Sequence, residues 1–315
     1  MRRRLAFLLA GNFLLLLAIV LLLKRGSSFS EVLSRLPGDI APVTLAGFAL
    51  TGIIFTGAID LSIASIIALA GTVFGAVVRH GASAWPAFLC CFLVAWGLMS
   101  LNGLLISRFR IPAIIITLAG LPFYRGIALM LAEMVVPAFS GNIPIWEEAY
   151  HTPGKEYAGF ILLAGIVIAL LFDAFAKHTR SWLALGNSRE ACHLMGLDPA
   201  RILNSAFWIG GLFLGLSALI YVTRVQAVEP ARMALGFELQ VIAAVILGGT
   251  NIFGGEGSYS GTLLGALFLY LISQVLVYAE ISAYLQDAIS GAIILIIIGA
   301  DCALHRRAKL MEELS

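Results

Sequence analysis

The stretch WPAFLCCFLVAWGLMSLNGLLI, residues 85–106, runs for 22 residues without a single Asp, Glu, Lys or Arg. Because a hydrocarbon core of about 30 Å needs roughly 20 apolar residues of helix, this stretch is long enough to cross a membrane. Similar apolar runs occupy residues 5–23, 40–55, 61–78, 111–135, 157–176, 202–225, 239–253, 258–278 and 282–300. The sequence therefore predicts an all-α polytopic membrane protein with about ten transmembrane helices.

The composition supports the same class. Hydrophobic residues make up 60% of the 315 residues and charged residues 12%, with a mean hydropathy of +0.98. Soluble domains carry roughly 25% charged residues, which excludes an ordinary soluble domain. The net charge of +2 gives no reason to expect a nucleic-acid partner. The four cysteines form no CxxC pair, so neither a disulfide framework nor a metal site is indicated.

The distribution of basic residues predicts the orientation. With an even number of spans both termini lie on one side, and that side holds twelve of the 20 Lys and Arg residues. The positive-inside rule then places both termini and residues 177–201 in the cytoplasm, and the loop 136–156 outside.

The basic start of residues 1–4 resembles a signal peptide, but no small-residue cleavage site follows. We expect an uncleaved first helix.

A polar segment, GNSREACHLMGLDP at residues 186–199, interrupts the apolar chain. Asn187 and Glu190 have the spacing of a capping box, and Gly196 is typical of a helix end, which predicts a two-turn helix over residues 188–195. A helix this short is marginal alone, so we expect it to dock on another protein. An ordinary ordered loop is the alternative. The residues expected to couple the chain to such a partner are Asn187, Arg189, Glu190, Ala191, Leu194, Met195 and Gly196.

Catalytic and nucleotide-binding motifs are missing from the sequence. There is no GxxxxGK[ST] loop, HExxH, GxSxG or paired-carboxylate arrangement within a span. We therefore expect no ATPase site, no enzyme active site and no bound cofactor in this chain. Ionisable residues near the bilayer interior are also few, which argues against a proton or sodium carrier.

A small set of polar residues lies in or beside the spans and could line or gate a pathway: Asp60, Ser62, Asn102, Thr117, Arg125 and Asn251. Each has a structural alternative. Asp60 could cap the following helix, and Arg125 could reach the membrane surface or cap backbone carbonyls. The uncharged members could instead hydrogen-bond one helix to another.

Glycines are dense between the last apolar runs. The members of this group are Gly248, Gly249, Gly254, Gly255 and Gly257. Because glycine adopts turn conformations freely and lets backbones approach closely, we expect a hinge here. No following Lys accompanies the group, so a phosphate-binding loop is only weakly indicated.

Several of these segments resemble one family. Glu190-Ala191-Cys192 followed by Gly196 resembles the EAA-xxx-G motif of ABC-importer permeases, with Cys in the second Ala position. GAIDLSIASI at residues 57–66 is similar to the GIDLSVG segment of the ribose-type monosaccharide permeases. So are IPAIIITLAG at 111–120 and AVILGGTNIFGGEGSYSGTLLGA at 244–266, together with Asn102-Gly103 and Arg125-Gly126. The departures are Ala64, where the family has Gly, and a divergent first forty residues.

The resemblance implies a single permease domain over 1–315. Within it lie a first helix and outer loop (1–39), a first helical repeat (40–135), an external loop (136–156), a cytoplasmic coupling loop (177–201), a second, inverted repeat (202–300) and a cytoplasmic tail (301–315). It also implies two ATPase subunits that bind ATP-Mg, a second copy of the chain or a related permease, and an extracytoplasmic sugar-binding protein. The whole assembly is expected in the bacterial inner membrane.

The substrate implied by the resemblance is a monosaccharide or related polyol, moved into the cytoplasm by alternating access. Nucleosides or branched-chain amino acids are the alternatives within the family. Outside it, a self-sufficient secondary carrier or a membrane-bound enzyme remains as an alternative, although no catalytic cluster is visible for the latter.

Overall fold

The computed structural model describes residues 2–22, 29–135, 143–144, 158–175, 177–225 and 227–282, with separate helical residues between 285 and 299. The predicted loop 136–156, apart from 143–144, and the predicted tail 301–315 lie outside the described residues. The described part is all-helical except for two strands of two residues each. Strand β1 (Ile143–Pro144) pairs antiparallel with β2 (Ala227–Val228).

The helices follow one another through short connections. They are α1 (Arg2–Leu22), α2 (Phe29–Phe55), α3 (Ile63–Arg79), α4 (Ala84–Phe109), α5 (Ala113–Val135), α6 (Ala158–Phe175), α7 (Lys177–Asn187), α8 (Arg189–Leu194), α9 (Pro199–Thr223), α10 (Phe237–Leu247) and α11 (Tyr259–Tyr278). Five of the described helices are long and apolar enough to cross a membrane, and six if the bent pair α6–α7 counts as one span. The all-helical membrane class is therefore confirmed, while the count of ten spans stays a prediction.

Three predicted elements differ from the structure. Helix α2 begins at Phe29, eleven residues before the predicted start at position 40, and continues through Pro37 and Pro42. The predicted run 239–253 is the short helix α10 followed by glycine-rich turns. In the polar stretch after α6, a helix was predicted only over residues 188–195, but the structure has an additional eleven-residue helix, α7, before it.

Two helices form the centre of the bundle. Helices α2 and α9 pack against each other, and α2 also contacts α6, α10 and α11. The apolar window of α2 is 89% buried, whereas that of α5 is 22% buried. A helix that is apolar all round belongs in the interior, and an exposed apolar helix suits lipid or a partner protein. The core of the molecule therefore lies around α2 and α9.

Close contact between α10 and α11 depends on glycine. A Cβ atom on Gly265 would overlap the carbonyl oxygen of Ala244, and one on Gly261 would overlap that of Gly248. Small residues of this kind let two membrane helices approach at backbone distance. The glycine-rich segment between α10 and α11 is thereby held against the rest of the bundle.

Candidate functional site

The polar segment forms helix α8, and its N-terminal cap differs from the prediction. The cap is Ser188, whose Oγ accepts a hydrogen bond from the backbone N–H of Ala191 at 3.1 Å. Asn187, predicted as the cap, is instead the last residue of α7. Serine is as good a cap as asparagine, so the cap shifts by one residue once α7 continues to Asn187. Gly196, at φ +74°, follows the C-terminal end of α8, as predicted.

The exposed end of α8 is apolar. Leu194 is 84% exposed and Met195 65%. Ala191 and the first-turn residues Arg189 and Glu190 are exposed as well. Such exposure of two large apolar side chains at the tip of a short helix favours contact with another protein.

Behind α8, three segments of the chain meet at backbone distance. We call this place the glycine junction, and it consists of Phe55, Gly57, Gly186, Asn187, Gly254 and Gly255. Asn187 Nδ2 donates to Gly255 O at 3.2 Å, and Gly255 N donates to Phe55 O at 3.1 Å. A Cβ atom on Gly186 would overlap Phe55 O and Gly255 N. The junction therefore joins the end of α7 to the end of α2 and to the turn before α11.

The remaining predicted hinge glycines surround this junction. Gly248 lies against the backbone of Gly261, and Gly257 lies against Thr250 and the Phe55 ring. Gly249 adopts φ +88° in the turn after α10. The structure thus brings the five predicted glycines into one continuous turn between α10 and α11 that borders α2.

Four of the predicted pathway residues meet in a second place. Asp60 Oδ1 accepts from Ser62 N at 2.7 Å and from Ser62 Oγ at 2.6 Å. Asn102 Nδ2 donates to Ser62 Oγ at 2.9 Å and to Asp60 Oδ2 at 3.4 Å. Thr117 Oγ1 donates to the carbonyl of Ile59 at 3.2 Å. The loop between α2 and α3 is thereby bonded to α4 and α5.

A residue that the sequence analysis missed completes this group. Tyr124 donates from its hydroxyl to Asn102 Oδ1 at 2.6 Å. We call Asp60, Ser62, Asn102, Thr117 and Tyr124 the buried polar cluster, because each is at most 4% exposed. Two turns separate Thr117 from Tyr124, so their shared helix face was the signal available in the sequence.

The structure shows the contacts that Asp60 makes beside the start of α3. The cap of α3 is Ser62, and Asp60 instead bonds its side chain to Ser62 and Asn102. A buried carboxylate is costly unless hydrogen bonds compensate for the lost water, and three donors do so here. The group therefore ties the loop 56–62 to α4 and α5 inside one subunit.

The other two predicted pathway residues lie elsewhere. Arg125 donates from one nitrogen to the carbonyls of Pro230 and Met233, both at 2.7 Å, and so holds the connector 229–236 before α10. Asn251 is exposed, and its Oδ1 accepts from Phe253 N at 3.0 Å within the glycine-rich turn. Neither residue contacts the buried polar cluster through these bonds.

A resident metal has no site in the described part of the chain. No group of three or more His, Cys, Asp or Glu residues lies close enough there to hold an ion. The described cysteines Cys90, Cys91 and Cys192 are free thiols. The fourth cysteine of the sequence, Cys302, lies outside the described residues.

Comparison with protein families decides what kind of molecule this is. The family described as "Branched-chain amino acid transport system / permease component" matches residues 32–298, which is most of the chain. The chain belongs to this family. The permease is accordingly a multi-pass membrane protein, in agreement with its apolar helices.

Two curated relatives narrow the comparison. The permease is 29% identical over 314 residues to the autoinducer 2 import system permease protein LsrC of Escherichia coli, covering 93% of this chain and 89% of that protein. It is 28% identical over 263 residues to the ribose import permease protein RbsC of Haemophilus influenzae, covering 80% and 79%. The predicted resemblance to importer permeases of the ribose type is confirmed.

A solved structure shares the fold. A metal-chelate type ABC transporter in an inward-facing conformation superposes with a TM-score of 0.58 at 13% sequence identity. The alignment covers 94% of the permease and 99% of that chain. At this identity the likeness concerns the fold alone, and it shows an ABC transporter permease fold.

Proposed function

We propose that the permease is the membrane-spanning subunit of an ATP-driven, binding-protein-dependent ABC importer for a monosaccharide or related polyol. The observation that carries this proposal is helix α8, with an exposed apolar tip and a base fixed in the glycine junction. A partner that moves α8 also moves the ends of α2 and α7 and the turn before α11. Carboxylates are few in the apolar runs of the sequence, which argues against an ion gradient as the energy source.

The energy enters through partner subunits. Two ATPase subunits bind ATP-Mg, and each contacts the α8 helix of one permease. The two permeases are either two copies of this chain or one copy and a related chain. Closure of the ATPase pair then shifts α8, and the permease alternates between outward and inward access. This coupling requires that the ATPase contact differ in free energy between the two conformations. ATP-Mg belongs to the partner subunits in this proposal, and the permease needs no cofactor, no nucleic acid and no catalytic site of its own.

The topology belongs to the same proposal. Ten spans place both termini and α8 in the cytoplasm, within the bacterial inner membrane, and an extracytoplasmic sugar-binding protein docks on the opposite face. The segments 40–135 and 202–300 form two inverted repeats. The excess of Lys and Arg on the side of the termini supports this orientation.

The substrate class rests on the relatives. Those named above import ribose and autoinducer 2 by their names, and this favours a sugar over the alternatives of nucleosides and branched-chain amino acids. The description of the whole family keeps branched-chain amino acids as the second candidate. A self-sufficient carrier is the third.

The buried polar cluster takes a positioning role in this proposal. Because its members are buried among α3, α4 and α5, they hold the walls of the pathway in register and do not line it directly. Arg125 and Asn251 act in the same way on the connector 229–236 and on the glycine-rich turn.

The test is purification of the tagged permease from its native membrane in mild detergent, followed by mass spectrometry. A stoichiometric soluble subunit with a nucleotide-binding loop supports the importer, and the presence or absence of a related permease distinguishes a heterodimer from a homodimer. A permease that purifies alone and moves sugar in vesicles without ATP would overturn the proposal in favour of a carrier.

A further inference from the structure

Two adjoining cavities lie at the end of the bundle far from α8. Helix α9 starts just after α8 and has 25 residues, so its last residue is about 36 Å from its first. Cavities of about 330 Å³ and 400 Å³ border that last turn of α9. Both are lined by Tyr221, Phe237 and Gln240, so they are neighbours across the same three side chains.

An ion pair lines the smaller cavity. Arg224 and Asp39 form a salt bridge between the end of α9 and α2, and both side chains line the wall. The hydroxyl of Tyr270 on α11 donates to the second oxygen of Asp39 at 3.2 Å. The charges of the pair cancel, so the wall presents strong donors and acceptors without a net charge.

Aromatic rings and the side-chain amide of Gln240 complete the lining. Tyr221 and Phe237 pack edge to face with ring centroids 5.4 Å apart, and the Tyr221 hydroxyl oxygen accepts a hydrogen bond from the backbone N–H of Ala234. The side-chain amide of Gln240 has no hydrogen-bond partner within the described part of the chain. It therefore offers one acceptor and two donors to a molecule in either cavity.

The larger cavity reaches the surface of the bundle. Leu235 and Leu239, which line the larger cavity, are 74% and 64% exposed, so its wall reaches the surface beside α10. The end of the connector 229–236 contributes to this wall through Leu235 and Gly236, and Arg125 and Tyr221 bond to the preceding residues of the connector.

This combination matches the chemistry of a neutral sugar. Small-molecule sites have volumes of about 300–1,000 Å³ and pair apolar or aromatic surface with a few convergent polar groups. A sugar carries hydroxyls that donate and accept, which suits an amide and a compensated ion pair, and C–H faces that suit aromatic rings. Because the pair has no net charge, it gives neither an anion nor a cation a net electrostatic attraction.

We propose that these cavities form one binding subsite for a neutral monosaccharide or polyol within each permease, at the end of the bundle opposite α8. The inference rests on the proposed import function, since it assigns the substrate a place on its route. Gln240 is its specificity-determining residue, and the Asp39–Arg224 pair supplies the charged hydrogen bonds.

The test is saturation-transfer difference NMR on the full-length permease in lipid nanodiscs. The probes are d-ribose, d-xylose, d-galactose and sorbitol at millimolar concentrations, with gluconate as the anionic comparison. We expect saturable signals from at least one neutral probe and none from gluconate. Gln240→Leu should weaken the affinity about tenfold, because it removes hydrogen bonds without opening space. Gln274→Leu, the same change on α11 outside both cavities, should leave it unchanged.

Two further results keep the outcome decisive. If Gln240→Leu does not yield folded permease, Ser273→Ala, which trims a hydroxyl from the lining, must weaken binding in its place. No saturable signal from any neutral probe, or equal binding by wild type and the lining variant, overturns the subsite. ATP-driven sugar uptake by the reconstituted importer with such a result would leave the proposed function standing. Binding in the cavity without any ATP-dependent uptake would overturn the importer alone.

Discussion

Asn102 is the residue on which the buried polar cluster depends. It donates to Ser62 and Asp60 and accepts from Tyr124, so Asn102→Leu removes three hydrogen bonds at nearly constant volume. Each buried polar group left without a partner costs about 1–3 kcal/mol. We expect a clearly lower thermal unfolding midpoint in detergent, and a smaller decrease for Tyr124→Phe, which removes one bond. Fluorescence-detected size exclusion after heating measures both.

The matched control is Gln274→Leu, since the structure gives the Gln274 side chain no hydrogen bond among the described residues. Its midpoint should stay close to that of the wild type. If Asn102→Leu unfolded no earlier than Tyr124→Phe, the cluster would not hold α4 and α5 to the loop 56–62.

The sequence could identify the members of this cluster but not their contacts. Polar residues in apolar runs are conspicuous, which is why Asp60, Ser62, Asn102 and Thr117 were predicted as candidates. Apart from the local Asp60–Ser62 bonds, their partners lie 22 to 58 residues away along the chain, and no local pattern specifies such pairs. Tyr124 escaped notice because a phenol in an apolar helix is as suited to the membrane surface as to a buried bond.

At the scale of elements, α8 is expected to carry the contact with the ATPase. Leu194→Ser combined with Met195→Ser removes most of the apolar surface of its tip while leaving the Ser188 cap intact. Because burial of exposed apolar side chains is a main favourable contribution to protein association, we expect the ATPase to be lost during purification. Met134→Ser changes a side chain of similar exposure, 76%, on α5 and should retain the ATPase. Retention of the ATPase by the double variant would contradict the docking role of α8.

Gly186 tests the junction independently of the docking surface. A Cβ atom there would overlap the backbone of the α2 end and of the glycine-rich turn, so Gly186→Ala must push α7 away from both. We expect ATP hydrolysis by the reconstituted importer to continue while sugar uptake falls at least severalfold. Gly126→Ala adds the same methyl group where nothing lies within 4 Å and should leave uptake unchanged. Normal coupling in Gly186→Ala would remove the junction from the mechanism.

The elements that differ from the prediction share a physical reason. Helix α7 is amphipathic and buries Trp182 on one side only. Because its other side is polar, its sequence does not stand out as an apolar run. Helix α2 persists through two prolines because the surrounding helices bury it and an unravelled backbone would leave polar groups unpaired. Helix α10 is cut short by glycines that tertiary contact with α11 requires. In these three cases, contacts with neighbouring helices help to determine where the helix begins and ends, and the local sequence pattern does not show those contacts.

At the scale of the whole molecule, the prediction from sequence was strongest. The order and type of the apolar helices follow from hydrophobicity alone, since a lipid environment admits few other structures. What hydrophobicity does not specify is which helix lies at the centre. Helices α2 and α5 have similar hydropathies, 1.6 and 1.8, yet α2 is buried and α5 is largely exposed.

The orientation of the molecule in the membrane gives the final prediction. Because α9, with 25 residues, is longer than the hydrocarbon core of about 30 Å, we expect α8 and the connector 229–236 to lie on opposite sides of the membrane. In a cysteine-free background, we expect Arg232→Cys to react with a membrane-impermeant maleimide in intact cells. Leu194→Cys should react only after permeabilisation. The reverse pattern would place α8 outside the cell, beyond the reach of any ATPase, and the importer proposal would fail with it.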